Sequence, residues 1–214
     1  MGRVNKKEDI ASFHREQILK AAERLFTEKG YDQTTIADIS KEAGYSRRTI
    51  YAYYESKEDM LHHIIETGLQ ALKEDIKNAV KGNDDFLGQY KAICMAMSRY
   101  QRECPYSAEN VNRANTTNLD ETDISDTVKR ILLFGEEINR VLADFIEKGK
   151  KDGMVRQDTV PELTVYVLWS GITSLFSLVQ TKGQYISGHY SISDKEFLEY
   201  GLKQLINSIL EERI

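Results

Sequence analysis

Residues 34–54 read TTIADISKEAGYSRRTIYAYY, and the spacing within this stretch sets the fold. Thr34 or Thr35 can cap a short helix whose apolar positions Ile36, Ile39 and Ala43 recur at helical intervals. Gly44-Tyr45 supplies a tight turn. Ser46 then caps a second short helix, because its hydroxyl can accept from the free N–H groups of the first turn. Two short helices about a glycine turn, the second polar with an aromatic end, are the grammar of a helix-turn-helix. On that second helix Ile50 and Tyr54 share one face, while Arg48, Tyr51 and Ala52 share another. The first face would join a small core and hold the helix rigid. The second would stay exposed and carry donors and a methyl group, the means to read base edges in a major groove. Alone, Arg47-Arg48 would read as solvated charge at a helix start; inside this motif they read as DNA contacts.

Outward from the motif, apolar residues keep helical spacing and period-two alternation is nearly absent. A first helix over about 12–29 carries Phe13, Ile18, Ala21, Ala22, Leu25 and Phe26 on its buried face, with Gly30 as its left-handed stop. Ser56 caps a fourth helix that runs to about Lys81, with Asp59 three residues on in the manner of a capping box. Five more follow. One spans about 85–103 and stops at Pro105; a short piece covers about 107–113; a polar loop covers 114–123. A long helix runs over about 124–151, and an apolar helix starts near Pro161, a favoured first-turn residue. A loop over 183–192 then leads to a last helix, capped by Ser193 and reaching the C-terminus. The expected fold is therefore all-α: an N-terminal domain, 1–57, holding the helix-turn-helix at about 35–54, then a larger helical domain, 58–214.

The segment from Ile18 to Lys57 resembles the TetR family of bacterial repressors. The residues that carry the resemblance are Ile18, Ala21-Ala22, Leu25-Phe26, Gly30, Thr35, Ile39, Ala43-Gly44, Ser46, Thr49-Ile50-Tyr51, Tyr53 and Ser56-Lys57. It covers about the first quarter of the chain; the later helices fit the family in number and length. The resemblance implies an all-α dimer with an N-terminal DNA-binding domain and a C-terminal domain for ligand binding and dimerisation. It implies phosphate contacts at Ser46, Tyr53 and Lys57, and a helix 46–54 in the groove. With the motif's own chemistry, the expected DNA-binding set is Thr35, Ser46, Arg47, Arg48, Thr49, Tyr51, Ala52, Tyr53 and Lys57. Two positions depart from the family. Arg48 stands where glycine is frequent, so no operator sequence carries over. Tyr54 stands where phenylalanine is usual, and its hydroxyl needs water or a partner.

The net charge of −5 does not suggest a nucleic-acid binder; its mildly uneven distribution fits a DNA-facing head on an acidic body. Residues 1–57 hold 11 basic and 9 acidic side chains, a net of +2, and the remainder holds 18 and 25, a net of −7. Arg3, Lys6 and Lys7 read either as an arm for the minor groove or as a solvated terminus. Cys94 and Cys104 would lie about 15 Å apart on one helix, beyond disulfide reach, and read as reduced thiols of the cytoplasm. The uncharged run 163–180 is long enough to cross a membrane. Its serines and threonines, and the lack of a basic N-terminal flank, favour a helix buried in a helical dimer.

No catalytic constellation is legible. Asp59 and His63 are four apart, but two ligands do not make a metal site, and there is no phosphate-binding glycine loop or nucleophile elbow. No cofactor and no metal is expected. Aromatic residues at helical spacing in the C-terminal part read first as core. A pocket between helices is lined in the same way, and Tyr100, Phe134 and Trp169 are its candidate lining for an unidentified small-molecule effector. Leu198, Leu202, Leu205 and Ile209 form an apolar seam on the last helix. Ser170, Ser174 and Ser177 form a stripe that lets another helix approach. Together they are the candidate homodimer interface. The expectation is a cytoplasmic, non-enzymatic regulator of transcription, dimeric on a double-stranded DNA operator. The alternatives are a helical enzyme or metal protein that has kept a helix-turn-helix, and a protein anchored in the membrane by 163–180.

Overall fold

A computed structural model describes residues 2–82, 85–115 and 124–212, the side chains of 2–8 and 112–115 excepted. Nine helices run in the order α1 Gly2–Lys29, α2 Ile36–Ala43, α3 Arg47–Tyr51, α4 Lys57–Lys81, α5 Phe86–Glu103, α6 Pro105–Asn115, α7 Asp126–Lys151, α8 Pro161–Tyr190 and α9 Asp194–Asn207, counted among the described residues. The all-α expectation is met. The chain divides into two compact units, one of residues 1–70 and 101–134, the other of 71–100 and 135–214.

The first unit is organised around α1. Ile18, Ala22 and Phe26 are at most 1% exposed and recur four apart, so they form one stripe. Ile39 of α2 and Ile50 of α3, both fully buried, belong to the same core, as do Met60 and Ile65 of α4. The Phe26 ring lies 5.1 Å from that of Tyr31 and 5.4 Å from that of Tyr106. Gly30 ends α1 at φ 85°, the left-handed conformation expected of it. The buried Thr34 donates its hydroxyl to the carbonyls of Leu25 and Gly30 at 3.2 and 2.9 Å. On α4 and α7, Glu66 pairs with Arg130.

Three expectations change here. Helix α1 begins at Gly2 rather than Ser12, since nothing in residues 2–11 breaks a helix. Phe13 is 56% exposed rather than buried: it stands five residues before Ile18, well off that stripe at ~100° per residue. Pro105 does not merely stop α5; it opens α6, which outgrows the expected 107–113 at both ends. The expected loop 114–123 lies mostly outside the described residues. Arg3, Lys6 and Lys7 lie on the helical backbone of α1, their side chains outside the described set.

In the second unit Leu72, Ile76, Ile93, Met97, Ile138, Phe145 and Ile146 are buried with Val165, Leu168, Ile172 and Phe176 of α8. Phe86 stacks on Phe145 at 4.4 Å and 7°. Gly149 makes room for that stack, since a Cβ there would lie 2.5 Å from the Phe86 ring and 2.8 Å from Val155. Helices α8 and α9 approach closely at glycines: a Cβ on Gly171 would meet Leu205 at 2.7 Å, and one on Gly201 would meet Leu175 at 2.8 Å. The expected loop 183–192 is absent; α8 continues to Tyr190 and ends at Ser191, φ 55°. Gly183 serves close packing instead of a turn, with Asp194 2.8 Å from where its Cβ would be. Helix α9 has the expected Ser193 cap, with Glu196 completing a capping box. It stops at Asn207, short of the C-terminus. Residues 209–211 then pair with 154–156: Arg156 N–H donates to Ile209 and Glu211 N–H to Met154, each at 3.0 Å, around a Val155–Leu210 bridge.

Candidate nucleic-acid interface

Local chemistry fixes the helix-turn-helix. Thr35 caps α2 through a capping box: Asp38 N–H donates to its hydroxyl at 3.2 Å, and Thr35 N–H donates to the Asp38 carboxylate at 3.0 Å. The hydroxyl and backbone donors of Thr35, with Lys29 at 3.1 Å, lower the Asp38 carboxyl to about 2. Gly44 turns the chain at φ 73°, and Ser40 braces the turn by donating to the Tyr45 carbonyl. Ser46 caps α3, accepting from Thr49 N–H at 3.1 Å, and the two hydroxyls share a hydrogen bond of 2.8 Å.

The two faces of α3 separate as their spacing requires. Ile50 is fully buried and Tyr54 is 3% exposed. Arg47, Arg48, Tyr51 and Ala52 are exposed, Tyr51 at 56%. A large exposed aromatic thus stands beside two arginines on a helix anchored from behind. The Tyr54 hydroxyl finds its partner in the Arg15 carbonyl, 3.2 Å away, and burial raises its pKa.

The flanks bring more than the motif foretold. Tyr53 is half-buried and its hydroxyl meets Nδ1 of His14 on α1 at 3.1 Å. The Arg15 guanidinium lies 5.9 Å from the Tyr53 ring. Lys57 turns inward: its ammonium donates to the carbonyls of Tyr31 at 2.6 Å and Thr34 at 3.0 Å, and lies 4.1 Å from the Tyr31 ring centre. Neither His14 nor Arg15 is in the sequence-derived set. Their signal was the aromatic pair Tyr53-Tyr54, which needs partners, but sequence does not say that α1 supplies them.

In the second unit an apolar cavity of about 30 Å³ is lined by Tyr90, Met97, Leu142, Phe145 and Trp169 among others. Of the three residues expected to line an effector pocket, Trp169 lines this cavity. Tyr100, buried, and Phe134, half-buried and part of the first unit, are not in this lining. Burial pushes the thiol of Cys94 up to about 12. Of the candidate interface residues, Ser170, Ser174 and Ser177 are exposed; Leu198, Leu202 and Leu205 are half-buried. Ile209 is 6% exposed and lies past the end of α9, covered by its own chain. Outside the candidate interface, Leu163, Val167, Tyr200 and Tyr166, an aromatic expected in the core or a pocket, are 59–65% exposed. Beside them a groove of about 470 Å³ opens between α8 and α9, lined by Leu175, Leu178, Phe197, Tyr200, Gln204 and Leu205 among others. Among the described residues no cluster of three or more His, Cys, Asp or Glu could hold a metal.

Residues 18–64 match the model of the bacterial regulatory proteins, tetR family. The chain is 30% identical over 146 residues to the HTH-type transcriptional regulator YfiR of Bacillus subtilis, covering 63% of this chain and 66% of that protein. It is 38% identical over 52 residues to the biofilm-operon negative transcriptional regulator IcaR of Staphylococcus epidermidis, 24% of this chain and 28% of that one. The chain thus spans under two thirds of the length of either relative. Its fold is that of the TetR-family regulator PfmR from Thermus thermophilus, with a TM-score of 0.67 at 20% identity over 91% of this chain and 99% of the other.

Proposed function

We propose that the chain is a DNA-binding transcriptional regulator of the TetR family, whose model its residues 18–64 match, and that it is a homodimeric repressor released from its operator by a small-molecule effector. The observation that carries the reading is α3: a capped helix anchored through Ile50 and Tyr54, with Arg47, Arg48, Tyr51 and Ala52 exposed together. Arg48 and Tyr51 read bases; Thr35, Ser46, Thr49 and Tyr53 lie around phosphates, which position the protein without specifying sequence.

Dimerisation is supported by α8. It is the one described helix long and apolar enough to cross a membrane, and only 22% of its most apolar window is buried within the chain. An exposed apolar surface of this kind needs a cover. Ser170 and Ser174 on the same helix, and the groove beside it, fit a second copy better than lipid. A two-fold dimer also matches an operator whose half-sites lie ~34 Å apart. The protein then works in the cytoplasm, where the operator is.

The effector enters the second unit at the cavity beside Trp169. As it stands, about 30 Å³ holds little more than a water molecule. An effector binds by moving the apolar side chains of α5, α7 and α8, and so stabilises a different population of the dimer. The lining selects an apolar, partly aromatic molecule. The test is a binding-site selection from random duplexes, then titration of candidate effectors with and without the selected duplex. Reciprocal coupling of ~1–3 kcal/mol is expected. Equal effector affinity in both states would refute release, and no selected motif would refute sequence-specific binding.

A further inference from the structure

We propose that His14 is the positioning residue for the Tyr53 phosphate contact, its imidazole setting which way the tyrosine proton points, so that operator affinity rises as pH falls. This rests on the reading of Tyr53 as a phosphate donor.

The geometry is specific. His14 is half-buried on α1, with Nδ1 3.1 Å from the Tyr53 hydroxyl. Its ring meets that of Tyr53 edge-on, 6.0 Å away at 87°, and leans on that of Tyr45 at 5.1 Å. Tyr45 precedes the recognition helix and Tyr53 follows it, so one imidazole touches both ends of the element that enters DNA. A tyrosine hydroxyl has a single proton. In the proposed neutral tautomer the imidazole proton sits on Nε2 and Nδ1 accepts, so that the tyrosine proton is spent inside the protein and the oxygen turns lone pairs towards a phosphate. When the imidazole takes a proton from solvent, both ring nitrogens become donors. Nδ1–H then donates to the Tyr53 oxygen, the hydroxyl proton is freed for a phosphate oxygen, and the new charge strengthens that bond.

The titratable groups facing His14 are Tyr45 and Tyr53. The nearby charge is the Arg15 guanidinium over the Tyr53 ring, and no carboxylate pairs with His14 among the described residues. Arg15 opposes the imidazolium in the free protein, and an arriving phosphate offsets both charges. Histidine is the side chain that ordinarily changes charge near neutral pH, and linkage makes proton uptake and DNA binding reinforce each other.

The experiment uses the full chain and one duplex selected by the wild type from a random pool. Anisotropy titrations run at pH 6, 7 and 8 at fixed ionic strength, with thermal melts at each pH. Wild-type affinity is expected to rise about three- to tenfold per protomer from pH 8 to pH 6, under the ceiling of tenfold per unit for one proton. Tyr53→Phe and His14→Ala should flatten the profile. His14→Gln, whose amide donates at every pH, should bind without pH dependence and more tightly than His14→Ala. A wild-type slope retained in His14→Ala or Tyr53→Phe overturns the proposal, as does a loss equal at all three pH values. If His14→Ala does not fold, Tyr53→Phe and His14→Gln decide. A wild type that selects no duplex sinks the DNA reading itself; one that binds with a flat profile sinks only the role of His14.

Discussion

Lys57 and Arg48 carry the same charge in different surroundings, and single substitutions should separate them. Arg48 is exposed on the first turn of α3, where a guanidinium can pair with guanine. Arg48→Ala should relax preference at one position per half-site, worth ~1–3 kcal/mol of discrimination, and leave the melting temperature unchanged. Lys57 spends two of its three protons on the carbonyls of Tyr31 and Thr34. Lys57→Ala should weaken all duplexes alike and also lower stability by about 1.5–3 kcal/mol, the worth of a charged hydrogen bond; urea unfolding reads the second effect. An unchanged unfolding midpoint would make Lys57 a phosphate contact alone. Asp38 gives a pH signature. Its carboxyl is lowered from 3.8 to about 2 by the Thr35 donors and then Lys29. A depressed carboxyl contributes stability above its unfolded pKa and loses it as pH falls through the folded one. Melts between pH 5 and 2 should therefore show a loss concentrated below pH 4, smaller in Asp38→Asn.

Among the elements, the caps were legible and the lengths were not. Thr35, Ser46, Ser56 and Ser193 each accept from the backbone three residues on, because capping is decided within one turn. Gly183, a turn signal by its own chemistry, lies inside α8 where the Asp194 carboxylate of another helix leaves no room for a Cβ, and no local rule contains that approach. The same holds at the candidate site: the faces of α3 follow from spacing, while the service of α1 to Tyr53 and Tyr54 follows from tertiary contact. Tyr100 and Phe134 have the chemistry of a pocket lining, but which helix faces meet is set by tertiary packing and not by their local spacing. Gly149 turns this dependence into a measurement. Gly149→Ala would set a methyl 2.5 Å from the Phe86 ring and 2.8 Å from the fully buried Val155. A loss of about 1–3 kcal/mol is expected, read as a lower urea midpoint with fluorescence of Trp169 as the probe.

Across the whole molecule, the exposed face of α8 is the feature that one chain leaves unfinished. Leu163→Glu with Val167→Glu should give a monomer, because both side chains are 65% exposed and neither supports its own subunit. Light scattering at micromolar concentration decides; a double variant that stays dimeric places the interface elsewhere. Leu205 is a poorer choice, since it already packs on Gly171. The Val155–Leu210 bridge bears on a different matter, the order in which the protein comes off the ribosome. Residues 1–134 supply every part of the first unit, so that unit can close while the rest is still being made. The second unit needs residues 209–211 against 154–156, and these are synthesised after all that they fasten. A stalled chain ending at Asn207 should hold a protease-resistant head and a body cut readily between 135 and 207. Adding Ser208 to Glu212 should suffice to protect it, so that in the newborn chain the first unit is whole before the second.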